Sequence, residues 1–299
     1  MPQLFQEFDH MRDTATVAAT AARMLPAWVP AVAIGMGALA GPSGAAETYP
    51  ERVRADYRVQ LAGVKFGNYT FNAVREDGTY RVRSSAKLEA LFGAFRWRGE
   101  ARVRGDVRRN RPRPATYRYD YRRNKKAPRQ TTVRFEGRDA IEVTRKPVRR
   151  VKKNRVPVTA EHRLGVLDPM SALVQLSIPR QGGHPCKRKV QVFDGNHRFD
   201  VELRPGRRTK LALGTMRGFN RNAWVCRIRF TPIAGHRKDG SSYKVADMQK
   251  MTVTLVASRD GSVLVPFRIA IPTVIGDAVV EATSVNVRLS NAAKLALGG

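Results

Sequence analysis

Carboxylates, cysteines and histidines are scarce in this chain: 299 residues hold 25 Asp+Glu against 55 Lys+Arg, two cysteines and five histidines. Cys186 and Cys226 stand 40 positions apart, which excludes a C-x-x-C redox or zinc motif. Beyond the N-terminal region the histidines are His162, His184, His197 and His236. They are too scattered for an H-E-x-x-H helix or any short metal-ligand spacing, and each reads as a surface residue. No G-x-S-x-G elbow, G-x-x-x-x-G-K phosphate loop or G-x-G-x-x-G dinucleotide loop follows a strand pattern. Asp194, Asp200 and Glu202 are close in sequence, but Asp194 is explained by a turn and the other two by the outward face of a strand. The reading is therefore not an enzyme, with no catalytic residue, metal ligand or cofactor site assigned.

Uncharged apolar runs are also rare. The one long run extends from Met24 to Ala46, is interrupted by Pro26, Pro30 and Gly35, and ends in Gly41-Pro42-Ser43-Gly44-Ala45-Ala46. Arg23 precedes it, and small residues occupy the positions that a signal peptidase reads, with cleavage after Ala45 or Ala46 both fitting. Residues 1–46 are thus expected to be a signal peptide of a periplasmic protein, the alternative being a retained anchor. Glu7, Asp9 and Asp13 are unusual in a leader, so translation starting at Met11 or Met24 is a second option. Export favours a Cys186–Cys226 disulfide over two unrelated buried thiols.

What remains is dominated by strict alternation, the period of a half-buried strand. Tyr57, Val59 and Leu61 alternate with Arg58 and Gln60; Tyr80, Val82, Ala86 and Leu88 oppose Arg81, Arg83 and Lys87; Phe95, Trp97, Ala101 and Val103 oppose Arg96, Arg98, Arg102 and Arg104. Tyr117, Tyr119 and Tyr121 form another apolar stripe, and the pattern recurs to Val285, Val287 and Leu289. Asp77-Gly78, Asp194-Gly195 and Asp260-Gly261 are tight hairpin signals, which make neighbouring strands mostly antiparallel. One helix start is written out in full: Asp168 as N-cap, Pro169 at the first position, then Met170, Leu173, Val174 and Leu176, with Pro179 as the stop. Its few charges predict a buried plug against the concave side of the sheet.

The expected fold is mainly β: a single antiparallel curved sheet or open barrel, residues 47–290, with one short buried helix against its concave face. Residues 146–163 read as an exposed basic loop and residues 291–299 as a frayed tail. Positive charge is concentrated, since residues 96–163 hold 24 Lys+Arg and 7 Asp+Glu. Alternation lines those arginines up on an outer face. Arg96, Arg98, Arg102, Arg104, Arg149, Arg150, Lys152, Lys153 and Arg155 are the candidates for contact with an anionic surface, against the reading that the face is merely solvated. Nucleic acid is the weakest partner, because no recognition motif for it is visible.

The run Asp168-Pro169-Met170-Ser171-Ala172-Leu173, with Val192-Phe193-Asp194-Gly195-Asn196-His197-Arg198-Phe199-Asp200 after Cys186, resembles the bacterial exported family catalogued as domain of unknown function 3108. Cys226-Arg227-Ile228 leading to Pro232-Ile233-Ala234-Gly235, and Val265-Pro266-Phe267-Arg268-Ile269 leading to Thr273 and Gly276, continue the likeness. The resemblance implies an exported β-rich protein and carries no activity or catalytic residue. The helix-plugged layout is also similar to half-barrel carriers of the LolA/LolB type. The expected function is non-catalytic binding of an amphiphilic or anionic envelope component such as a lipid, with peripheral membrane contact. Met170, Leu173, Val174 and Trp97 are the groove and plug residues. The alternatives are a scaffolding envelope protein with a filled core, and an enzyme acting on an envelope polymer.

Overall fold

The computed structural model describes residues 49–90, 95–148, 154–180, 182–238, 250–273 and 276–298. The expected leader, together with Arg149, Arg150, Lys152 and Lys153, lies outside the described residues.

Alternation sets the architecture. Seven strands come first: β1 (Pro50–Leu61), β2 (Val64–Glu76), β3 (Thr79–Ala90), β4 (Phe95–Arg108), β5 (Arg111–Arg123), β6 (Arg129–Glu136) and β7 (Asp139–Lys146). A single turn of 3-10 helix, Glu161–Arg163, and the α-helix α1 (Pro169–Ser177) follow. Eight strands complete the chain: β8 (Arg188–Phe193), β9 (Arg198–Lys210), β10 (Thr215–Arg217), β11 (Asn222–Ala234), β12 (Thr252–Ala257), β13 (Leu264–Ile271), β14 (Ala278–Leu289) and β15 (Lys294–Gly298). They form one antiparallel sheet in the order β7-β6-β5-β4-β3-β2-β1-β14-β13-β12-β11-β9-β8. Asp77-Gly78, Asp194-Gly195 and Asp260-Gly261 make the expected turns, between β2 and β3, β8 and β9, and β12 and β13.

The sheet curls into a nearly closed barrel because its two edges, β7 and β8, are brought together by short polar links. Val166 N–H donates to Arg138 O at 2.7 Å, and Leu167 pairs in parallel with Val192 of β8. The Arg145 guanidinium donates to Gly195 O. Gly195 is in the left-handed region at φ +87°, and a Cβ there would overlap Thr131 Cγ2 and stand 2.9 Å from Val133 Cγ2. Glycine is therefore required at this seam on two counts.

The inner faces make the core. Across β3, β4 and β5 the register stacks Val82, Val103 and Tyr117 in one row and Ser84, Ala101 and Tyr119 in the next. Trp97 lies flat over Gly99, where any Cβ would meet the indole, so a large aromatic fits without forcing the strands apart.

Three expectations change. The segment after Asn291 does not fray: Lys294–Gly298 pairs with β14 and with β10, which satisfies its backbone and buries Leu295 and Leu297. His197 and His236 are not at the surface but buried against each other, ring centroids 4.8 Å apart. Asp200 is likewise buried rather than outward, and Arg198 and Lys189 neutralise it at 2.5 and 2.9 Å.

Candidate ligand cavity

α1 is positioned by its own cap. Asp168 Oδ1 accepts from the N–H groups of Met170 and Ser171 at 2.9 and 3.0 Å, and Oδ2 accepts from the Ser171 hydroxyl. Ser171 Oγ in turn lies 2.6 Å from Tyr80 Oη on β3, which ties the start of the helix to the sheet. Asp168 is fully buried, and that burial pushes its carboxyl up to about 6 against the hydrogen bonds that favour the charged form. Met170 is seated by the Ser84 and Tyr69 hydroxyls, 3.1 and 3.8 Å from its sulfur.

With its N-terminus pinned, α1 crosses the barrel and divides the interior. On one side a cavity of 110 Å³ is walled by Val53, Ala55, Tyr57, Phe71, Val174 and Val265. On the other a cavity of 160 Å³ is walled by Leu176, Val190, Phe199, Leu203, Phe230 and Val253. Leu173 borders both. A third space of 40 Å³ lies under Met170 and Trp97. The four expected groove and plug residues, Met170, Leu173, Val174 and Trp97, thus come together inside the barrel. Val53, Phe71, Leu173, Val174, Ile228 and Phe230 face this interior yet are only half-buried, so part of the apolar wall is open to solvent. A concave apolar surface of this kind is the usual form of a site for a hydrocarbon ligand.

The Cys186–Cys226 disulfide holds one wall. It bridges the approach to β8 with the middle of β11 across β9, packing with Leu203, Val253 and Leu255. Between these strands the register sets Arg188 opposite Leu203 and Leu203 opposite Ile228. Arg188 therefore points inward, in phase with Val190 and Val192. It was not among the expected site residues, although an arginine in the apolar phase of a strand is a readable signal.

The outer face sorts the expected anion-binding residues. Arg102 is paired with Glu100 at 2.8 Å and Arg96 with Glu89 at 3.5 Å. Glu100 also takes Arg83 at 2.5 Å, and Arg118 pairs with Asp120 at 2.8 Å, so the middle of the face is largely neutralised. Nearer the β1–β2 turn the register places Lys87, Arg98 and Arg122 directly opposite one another on three neighbouring strands. No acidic residue among the described residues pairs with them, or with Arg104. Arg155 turns away from this surface: its guanidinium donates to Gly235 O at 2.6 Å and lies 3.3 Å from His197 Nε2.

That last contact belongs to a buried cluster that sequence spacing did not reveal. His197 Nδ1 is 3.0 Å from Asp194 Oδ2, so the ring N–H donates to the carboxylate, and Nε2 lies against Arg155. Asp194 is buried, but His197 and the backbone N–H groups of Asn196 and His197 outweigh that burial and hold its carboxyl down at about 2. Burial, helped by the charge of His197, lowers His236 to about 4. His197 is 0% exposed, so its ring is a packing element of the seam. Among the described residues no group of three His, Cys, Asp or Glu could hold a metal ion.

Residues 56–283 match the family model described as protein of unknown function (DUF3108). Comparison with curated proteins and with solved structures gives no match.

Proposed function

The chain belongs to the DUF3108 family, and from its open, helix-divided barrel we propose that it is a non-catalytic binding protein for an amphiphile whose hydrocarbon part enters the cavities beside α1. The observation that carries this reading is the pair of apolar cavities, 110 and 160 Å³, with a half-exposed inner wall. A dry apolar cavity of about 150 Å³ admits a hydrocarbon the size of benzene. Spaces of this size suit a single narrow alkyl chain better than a multi-chain lipid. Burial of each methylene contributes about 0.8 kcal/mol, so even a short chain gains useful affinity.

The Cys186–Cys226 bridge supports an oxidising compartment, in keeping with the signal-like run that ends at Ala46. The Lys87–Arg98–Arg122 row supports peripheral contact with an anionic surface. Like charges directly opposite on neighbouring strands repel, so the row weakens the sheet unless an outside anion neutralises it.

The test is titration of the full chain with a fluorescent fatty-acid analogue. Saturable binding is expected, together with its loss in Leu173→Glu, which sets a carboxylate between the two cavities. A wild-type protein that shows no saturable binding would return the barrel to a scaffolding role.

A further inference from the structure

Arg188 is 7% exposed and lies on the interior face of β8. Its Nη1 donates to the carbonyls of Gln175, Leu176 and Ile178 at 3.3, 3.1 and 2.6 Å, so it closes the C-terminal end of α1. The other edge of the guanidinium is different: Nε and Nη2 are both buried and neither has a hydrogen-bond acceptor among the described residues. Of the two buried arginines among the described residues, Arg198 is matched by Asp200, whereas no carboxylate described pairs with Arg188. Burial, with the nearby cation Arg180, lowers Arg188 to about 10, which leaves it charged at neutral pH. The partial negative charge at a helix end is about half an elementary charge and only partly offsets a full buried one.

Three neighbours of this guanidinium wall the larger cavity, whose lining stops short of Arg188 itself. Val190, two positions along the same face, Leu203 opposite, and Leu176, whose carbonyl it binds, all wall the 160 Å³ space. Nε and Nη2 form the side-on edge of the guanidinium, the fork that receives a carboxylate through two parallel hydrogen bonds.

We propose that Arg188 is the headgroup site of the cavity and that the ligand is a single-chain amphiphile carrying a carboxylate, its alkyl chain beside α1 and its two oxygens on Nε and Nη2 of Arg188. The assignment rests on the cavity reading above and adds the chemistry of the headgroup. It also gives Arg188 two roles at once, since the residue that binds the ligand also holds the end of the helix that divides the interior.

The experiment is calorimetric titration of the full chain at pH 8 with decanoate, decan-1-ol and acetate. Decanoate is expected to bind about tenfold or more tightly than decan-1-ol, the scale of a charge-assisted hydrogen-bonded pair. Acetate, lacking the chain, is expected to show no saturable binding. Arg188→Met should bring decanoate down to the level of decan-1-ol while leaving decan-1-ol binding in place, a change in preference that loss of a helix cap alone would not produce. Equal binding of decanoate and decan-1-ol by the wild-type protein overturns the headgroup site and leaves the cavity reading intact; binding of neither overturns both. Should Arg188→Met fail to fold, the wild-type protein decides alone: decanoate labelled with carbon-13 at its carboxyl should titrate at lower pH when bound than when free, and an unchanged or raised value rejects the pairing.

Discussion

Asp168→Asn is the most informative single change at the helix that divides the cavity. In the folded protein burial raises the Asp168 carboxyl to about 6, against 3.8 for the ordinary group. The folded state therefore holds a proton more tightly than the unfolded chain does between these two values. Its contribution to stability is complete below pH 3.8 and is lost as pH rises through 6, a span of about 2 pKa units or about 3 kcal/mol. An asparagine keeps an acceptor for the N–H groups of Met170 and Ser171 and carries no charge to desolvate. Its amide can donate to Ser171 Oγ, which remains free to donate to Tyr80. Urea denaturation of both proteins at pH 4 and pH 8 gives the comparison. Asp168→Asn should be close to wild type at pH 4 and more stable than wild type at pH 8, the difference growing by about 3 kcal/mol. Other titrating groups are common to both proteins and cancel. Asp168→Ala should lie about 1–2 kcal/mol below Asp168→Asn at either pH, because the cap acceptors are gone. A wild-type-to-Asn difference that stays constant from pH 4 to pH 8 would show that the buried carboxyl is not held protonated and would refute the reasoning.

Three further outcomes follow from the fold. Removing the Cys186–Cys226 bridge, by reductant or as Cys226→Ser, opens a connection across 40 positions and should cost about 4 kcal/mol in the chain-entropy account, read from the denaturation midpoint; an unchanged midpoint contradicts it. Replacing Lys87, Arg98 and Arg122 together by Gln should weaken association with anionic vesicles by about 1 kcal/mol per residue while leaving thermal stability equal or higher; loss of stability without loss of vesicle binding would mean that the row is structural. Gly195→Ala forces a Cβ into Thr131 and Val133 at positive φ and should destabilise by about 1–3 kcal/mol in chemical denaturation; a neutral effect would mean that the seam is loose.

Much of the fold is legible because period-two patterning and turn chemistry are local. Val82 and Arg83 already differ in face before any partner strand is known, and Asp77-Gly78 sets its own hairpin. The Asp168-Pro169 start carries its helix in the same way. Lys294–Gly298 escaped notice because a five-residue strand has little pattern of its own. It owes its order to β14 and β10, the latter some 80 positions earlier in the chain.

The sequence by itself determined which side chains face inward: the alternation that sends Tyr57, Trp97 and Tyr117 to the core sends Arg83 and Arg102 outward, and a half-buried sheet admits no other phase. It also determined where the plug starts, since Asp168 and Pro169 write a helix N-terminus locally. Only the tertiary structure decided what those faces meet. Glu100 neutralises Arg83 and Arg102 while Lys87, Arg98 and Arg122 meet no acidic partner among the described residues, because strand register sets which charges are neighbours. His197 became buried beside His236 and Arg155, residues 39 and 42 positions away, because closure of the barrel at β7 and β8 brings those segments together. Arg188 came to rest on the carbonyls at the end of α1 because it falls in the inward phase of a strand facing that helix, and a charge in that position draws its meaning from the elements packed around it rather than from its neighbours in the chain.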